Sequence, residues 1–281
     1  MLRANRHHAS LVLVAAASWV GPIASRTAPG ERIGPPPHFL RFNGSTSYVE
    51  VPSAPELGVG SAGLTVAMWM RPDAVSFPKT EGSRPTDQYV HWLGKGEAGK
   101  HEWTFRMYSQ SSPPGPRVNR ISFYVFNLAG GRGCGSYFQD DIEAGQWIQV
   151  VGVVDPAIQH TAIYKNGELR HQDNYGGIIT PASGSAPLGI GTKDFASFFK
   201  GAIGPIYLWR RALSGGEVRA LYTTGRVPPN GLVAGYPTDD GRGAVLREVQ
   251  GQHVGAIHDA EWGQGAGAIA SGNARQSGGG C

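Results

Sequence analysis

Five side chains close together in the chain carry the groups best suited to chemistry. His91 and His101 flank one glycine-bearing turn, and Arg106, Tyr108 and Tyr124 follow. An imidazole base with a phenol acid is a sound proton-transfer couple, so a lyase-like pairing of His101 with Tyr108 or Tyr124 is one candidate. Glycoside hydrolysis needs two carboxylates a few ångströms apart. Asp140, Asp141 and Glu143 lie near one another, but in a loop without a surrounding aromatic strand, and Asp239 and Asp240 are adjacent, so on a strand they would face opposite ways. The histidines beyond the first 25 residues (38, 91, 101, 160, 171, 253 and 258) show no metal-ligand spacing. There is no G-x-S-x-G, and the glycine-rich 130–135 stretch lacks the Lys-Ser/Thr and the helix of a phosphate loop. No residue is therefore assigned a catalytic or metal role.

Binding chemistry is better represented. Residues 101–108 alternate, with Trp103, Phe105 and Met107 on one face and Glu102, Thr104, Arg106 and Tyr108 on the other. Residues 121–126 alternate likewise, Ile121, Phe123 and Val125 against Ser122, Tyr124 and Phe126. If the first set of each strand is core, the second forms an outward wall of Arg106, Tyr108, Tyr124 and Phe126. Sugar recognition needs aromatic faces and a few orienting polar groups. The candidate ligand-binding residues are Arg106, Tyr108, Tyr124, Asn127, Tyr137 and His101.

The elements that must position them are short strands. Residues 146–154 form an apolar run fit for a buried strand. Asn43-Gly44 and Asn166-Gly167 predict two hairpins, and Gly94-Lys95-Gly96 predicts a turn after a strand at 89–93. Residues 198–222 read as a strand followed by one helix, with Ser214 as N-cap, Glu217 completing a capping box, Leu213 and Val218 as a hydrophobic staple, and Gly225 as the stop.

That last stretch resembles the closing segment of LamG-like jelly rolls of the concanavalin A-like lectin/glucanase superfamily. Phe199, Gly201, Ile203, Ile206, Leu208, Trp209, Arg211, Ala212, Leu213, Ser214, Glu217 and Val218 fit its pattern. The opening motif Leu40-Arg41-Phe42-Asn43-Gly44 with 48–51, the 64–72 strand, 147–153 and 163–168 match in order, covering about residues 38–225. The resemblance implies an all-β, two-sheet antiparallel jelly-roll sandwich with one short helix towards the C-terminal side. It also implies a structural calcium ion held near Asn43-Gly44 and by an acid of the closing motif. Here Gly204 and Pro205 stand where that acid is expected, which puts the ion in doubt. Residues 232–262 resemble the family's amino-terminal lead, placed after the helix. They read either as edge strands for the sandwich or as the start of a truncated second copy, and the first is preferred.

Composition agrees: 42 Gly, 20 Pro and 16% charged residues favour turns and short strands. A net charge of +4 without a basic run argues against nucleic-acid binding. Residues 1–25 predict a secretory signal: a partly cationic start, then an apolar run at 11–20 too short to span a bilayer. Residues 26–37 read as a linker, 38–263 as the LamG-like domain and 264–281 as a disordered tail. The two cysteines, Cys134 and Cys281, permit a disulfide in an exported chain but have no metal-ligand spacing. The expectation is a secreted, non-catalytic module recognising an extracellular polysaccharide or glycan, with no membrane insertion of the mature chain. A polysaccharide lyase or glycosidase on the same scaffold is the alternative, and a structural or adhesive protein the third.

Overall fold

A computed structural model describes residues 36–77, 81–82, 88–97, 100–110 and 116–265. The expected leader, most of the linker and tail, and Cys281 lie outside them. In chain order the strands are β1 (His38–Asn43), β2 (Tyr48–Val51), β3 (Leu64–Pro72), β4 (Tyr89–Glu97), β5 (Lys100–Tyr108), β6 (Arg120–Val125), β7 (Cys134–Gln139), β8 (Ile148–Asp155), β9 (His160–Lys165), β10 (Glu168–Asn174), β11 (Leu188–Ile190) and β12 (Lys200–Trp209). Helix α1 (Gly215–Thr224) follows, then β13 (Leu232–Tyr236), β14 (Val245–Leu246), β15 (Gly255–His258) and β16 (Glu261–Gln264). The strands form two antiparallel sheets, giving the expected all-β sandwich. Sheet A runs β10-β9-β8-β3-β12-β1-β16, with β13 also on β12, and sheet B runs β14-β15-β2-β11-β4-β5-β6-β7.

The alternation of β5 and β6 is realised. Trp103, Phe105, Met107, Ile121, Phe123 and Val125 are buried between the sheets. The Phe105 and Phe123 rings lie 4.7 Å apart. Their seat is Gly152 on β8, where an added Cβ would stand 2.6 Å from Phe123 and 2.7 Å from Phe105. β8 is buried on both faces, hence its unbroken apolar run. Val150 and Val154 join the main core, while Val151 and Val153 join a second cluster with Trp209, Leu213, Val218 and Leu221 beneath α1. The helix has its capping box, and Gly225 closes it in the left-handed region at φ 64°.

Two turns differ from expectation. Asn43-Gly44 is not a hairpin, because β1 lies in sheet A and β2 in sheet B. Asn43 Oδ1 accepts the backbone N–H groups of Ser45, Thr46 and Ser47, which closes a loop that carries the chain across the sandwich. Gly94-Lys95-Gly96 is not a turn but the body of β4. Gly94 packs on Thr104, and buried Lys95 lies 2.6 Å from Glu102 and donates to Gly184 O at 2.8 Å. Asn166-Gly167 does form the β9–β10 hairpin, with φ 53° and 79°.

The segment after α1 joins both sheets: β13 pairs with β12, β15 with β2 and β16 with β1. The register of β12 shifts between Ile203 and Ile206, so that β1 pairs with its first half and β13 with its second. Pro205, which has no N–H to donate, sits at that break.

Gly152→Ala should cost roughly 1–3 kcal/mol by overpacking, read as a lower urea midpoint at unchanged slope. An unchanged midpoint would show that Phe105 and Phe123 do not depend on the missing Cβ.

Candidate functional site

The register of sheet B sets His91, Arg106, Ser122 and Tyr137 in one row across β4, β5, β6 and β7. Directly paired residues share a face, so all four point away from the core. Arg106 Nε donates to His91 Nε2 at 2.9 Å. Arginine offers only donors, so Nε2 holds a lone pair and the His91 proton sits on Nδ1. That atom lies 3.0 Å from Glu81 Oε1 and 3.9 Å from Asp194 Oδ1. Glu81 is brought there by a backbone bridge to Tyr89. Ser197 Oγ donates to the Glu81 carboxylate and accepts the His91 backbone N–H.

A second chain of contacts enters from the loop after β11. Lys193, itself buried, bonds the Asp194 carboxylate and donates to His101 Nδ1 at 2.6 Å. An ammonium cannot accept, so His101 carries its proton on Nε2. Burial lowers the His101 pKa to about 4, reinforced by the charges of Lys193 and Arg106. Burial also lowers Lys193, against the pull of Asp194. Burial works against the carboxylates too, but contacts to His91 and Lys193 hold Asp194 well below the usual range, and contacts to His91 and Ser197 hold Glu81 below it.

Aromatic rings enclose the arginine. Arg106 Cζ lies 4.7 Å from the Tyr89 centroid, 4.8 Å from Tyr124 and 5.5 Å from Phe126, each within cation–π range. Burial raises both tyrosine pKa values. His101 packs edge-on against the same Phe126 ring at 5.0 Å.

Of the six residues expected to bind ligand, the structure gathers Arg106, Tyr124 and His101. It does not offer Tyr108, which is 1% exposed and packed on Tyr89, and Phe126 is likewise 3% exposed. The outward wall exists, but flanking loops roof part of it. Tyr108 therefore cannot serve as the acid partner of His101. Asn127 Oδ1 accepts the Thr180 N–H at 2.7 Å and ties two loops together. The Tyr137 ring is occupied by Arg120 at 3.8 Å and by His171 at 4.9 Å. The loop carboxylate Asp140 is engaged by Lys165 and Arg170.

Sequence reasoning missed Glu81, Lys193, Asp194 and Ser197, which reach the row from loops with no periodic signal. It also missed Phe195, which is 49% exposed at φ 61°, a left-handed conformation unusual for a bulky residue. Phe195 meets Tyr48 edge-on at 4.8 Å, and Tyr48 stacks on His258 at 4.4 Å. The detectable signal was one aromatic following Lys-Asp in a polar loop.

The ligating atoms of Glu81, His91 and Asp194 lie within 4.8 Å of one another. A metal on Nδ1 would have to displace its proton and put one on Nε2, against the Arg106 donor. Asp194 is already matched by Lys193, and Glu81 faces the His91 N–H. The trio fits a hydrogen-bond relay better than a metal. The calcium implied by loop carbonyls near Asn43-Gly44 and an acid of the closing motif lacks that acid, since Gly204 and Pro205 stand in its place.

A family model described as the concanavalin A-like lectin/glucanases superfamily (Laminin_G_3) matches residues 43–219. The chain belongs to the concanavalin A-like lectin/glucanase superfamily. Among solved structures of that architecture, a candidate carbohydrate-binding protein from Bacteroides ovatus is similar at TM-score 0.57 and 17% identity, over 82% of this chain and 61% of that one. The chain thus spans about three fifths of that protein's length. A heptameric SAP-like pentraxin from Limulus polyphemus is similar at TM-score 0.53 and 15% identity, over 82% of this chain and 95% of that one. Identities this low show a shared fold alone. No curated protein matches the chain.

The depressed His101 pKa has a sign. Between about 4 and the ordinary 6.5 the unfolded chain binds a proton that the folded chain refuses, so stability falls as pH drops through that window. In His101→Gln, where an amide oxygen can still accept from Lys193, chemical denaturation should show a flatter slope between pH 6.5 and 4. An unchanged slope would place the proton elsewhere.

Proposed function

We propose that this chain is a secreted, non-catalytic module that binds an extracellular glycan on the outward face of sheet B, around Arg106, His101 and Tyr124. The observation that carries the reading is the fixed, aromatic-flanked guanidinium of Arg106. Its Nε donates to buried His91, whose Nδ1 faces the Glu81 carboxylate at 3.0 Å, so little side-chain freedom remains to be lost on binding. Membership of a lectin and glucanase superfamily is consistent with sugar recognition. Phe195 adds an exposed ring beside Asp194, suited to stacking against a sugar face. Export rests on the leader-like residues 1–25. The enzyme alternative has less support: Tyr108 is buried, Glu81 faces His91, and Asp194 is held by Lys193.

Glycan-array screening followed by calorimetry tests the reading. Phe195→Ala should weaken the best glycan about tenfold, near 1.4 kcal/mol, while the melting temperature changes little, because the ring is half-exposed and the backbone conformation is left as it was. Failure to bind any glycan, or undiminished affinity in both Phe195→Ala and Tyr124→Ala, would reject it.

A further inference from the structure

The hydrogen-bond inventory of the site is one-sided. The Glu81 carboxylate receives Ser197 and faces His91. The Asp194 carboxylate receives Lys193 and the Ala196 N–H. His91 Nε2 is taken by Arg106, and His101 Nδ1 by Lys193. Apart from Glu81 Oε2, the oxygen and ring-nitrogen acceptors of these side chains each hold a partner.

Not every donor does. Arg106 uses Nε alone; among the described residues nothing accepts from its two Nη groups, which leaves four N–H bonds. His101 keeps its Nε2–H, which has no partner among the described residues and is not sealed from solvent. Both side chains rest against the one Phe126 ring, and the His101 ring also lies 6.0 Å from that of His91, the partner of Arg106. A neutral hydroxyl can accept from such an array, but it brings no charge to answer the guanidinium and only one oxygen to meet its fork. An ionised carboxylate only accepts. Its two oxygens also match the planar guanidinium edge, and that match makes the pairing strong and directional.

We infer that the glycan bound here is acidic, and that a sugar-borne carboxylate docks on the outward edge of Arg106 with His101 Nε2–H beside it. This rests on the glycan-binding reading and narrows its ligand to uronate-type sugars. The positive charge of Arg106 survives at that edge because Glu81 lies on the far side of His91, while Asp194 is matched by Lys193.

The test uses the described chain with four probes: an oligogalacturonate, the same oligosaccharide as its methyl ester, a neutral glucan and a sulfated glucan. The oligogalacturonate should bind at least tenfold more tightly than its methyl ester, and less tightly as salt rises. Arg106→Gln should bring the two within about twofold of each other. Phe195→Ala should weaken both by the same factor and leave their ratio intact, which separates ring stacking from charge recognition. Arg106→Lys keeps the charge without the fork and should retain only part of the ratio, so a folding defect in the glutamine variant would not end the test. Equal binding of acid and ester, or tighter binding of neutral glucan, overturns the inference while leaving glycan recognition standing. Preference for the sulfated glucan over the uronate overturns the carboxylate assignment. Binding to none of the probes or of a wider array removes the glycan reading itself.

Discussion

Charges held away from water must answer one another, and the outward face of sheet B is built under that constraint. Glu81, Lys193 and Asp194 are tolerated there because Glu81 faces the His91 N–H and Asp194 is paired with Lys193. Removing one partner of such a pair typically costs about 3–5 kcal/mol, since the other is left buried and unmatched. Lys95 and Glu102 obey the same rule further along β4 and β5, closed over by Gly184. The chain of contacts ends at Arg106, the point where it meets solvent. Buried order thus becomes a fixed donor at the surface.

The opposite face of the same strands supplies the rigidity. Trp92, Trp103, Phe105 and Phe123 pack between the sheets, and Trp103 Nε1 finds Leu57 O at 3.0 Å. Because β5 is gripped by this core, the Arg106 backbone has little room to drift. β11 then links the two halves of the site. It pairs with β4 at Leu93–Lys95 and hands the chain directly to Lys193 and Asp194. One short strand therefore brings residues about a hundred positions apart into hydrogen-bond contact.

How far this could be read from the chain differs by element. The alternation in 101–108 and 121–126 correctly divided core from outward side chains, and Ser214, Glu217 and Gly225 marked the helix ends, because both signals are local. What lies over an outward face is not local. Alternation told which way Tyr108 and Phe126 point, not that loops would cover them. Asn43-Gly44 carries a hairpin signal, but Ser45, Thr46 and Ser47 offer Asn43 a set of local N–H partners that builds a crossover instead. Lys95 between two glycines looked like a turn because burial of a lysine is legible only once Glu102 is seen beside it. Arg106, Tyr124 and His101 were legible as candidates, whereas their carboxylate anchors arrive from loops that have no pattern.

The account rests on proton positions that follow from fixed donors: Nδ1–H on His91, because Arg106 donates to Nε2, and Nε2–H on His101, because Lys193 donates to Nδ1. Long-range nitrogen–carbon correlation spectra of imidazole-labelled protein at neutral pH read both tautomers directly. The account predicts opposite neutral tautomers for the two rings, with the His91 pattern changing in Arg106→Gln. Nε2-protonated His91 in the native protein would contradict it, since Arg106 would then have no acceptor there and the outward guanidinium would have no anchor.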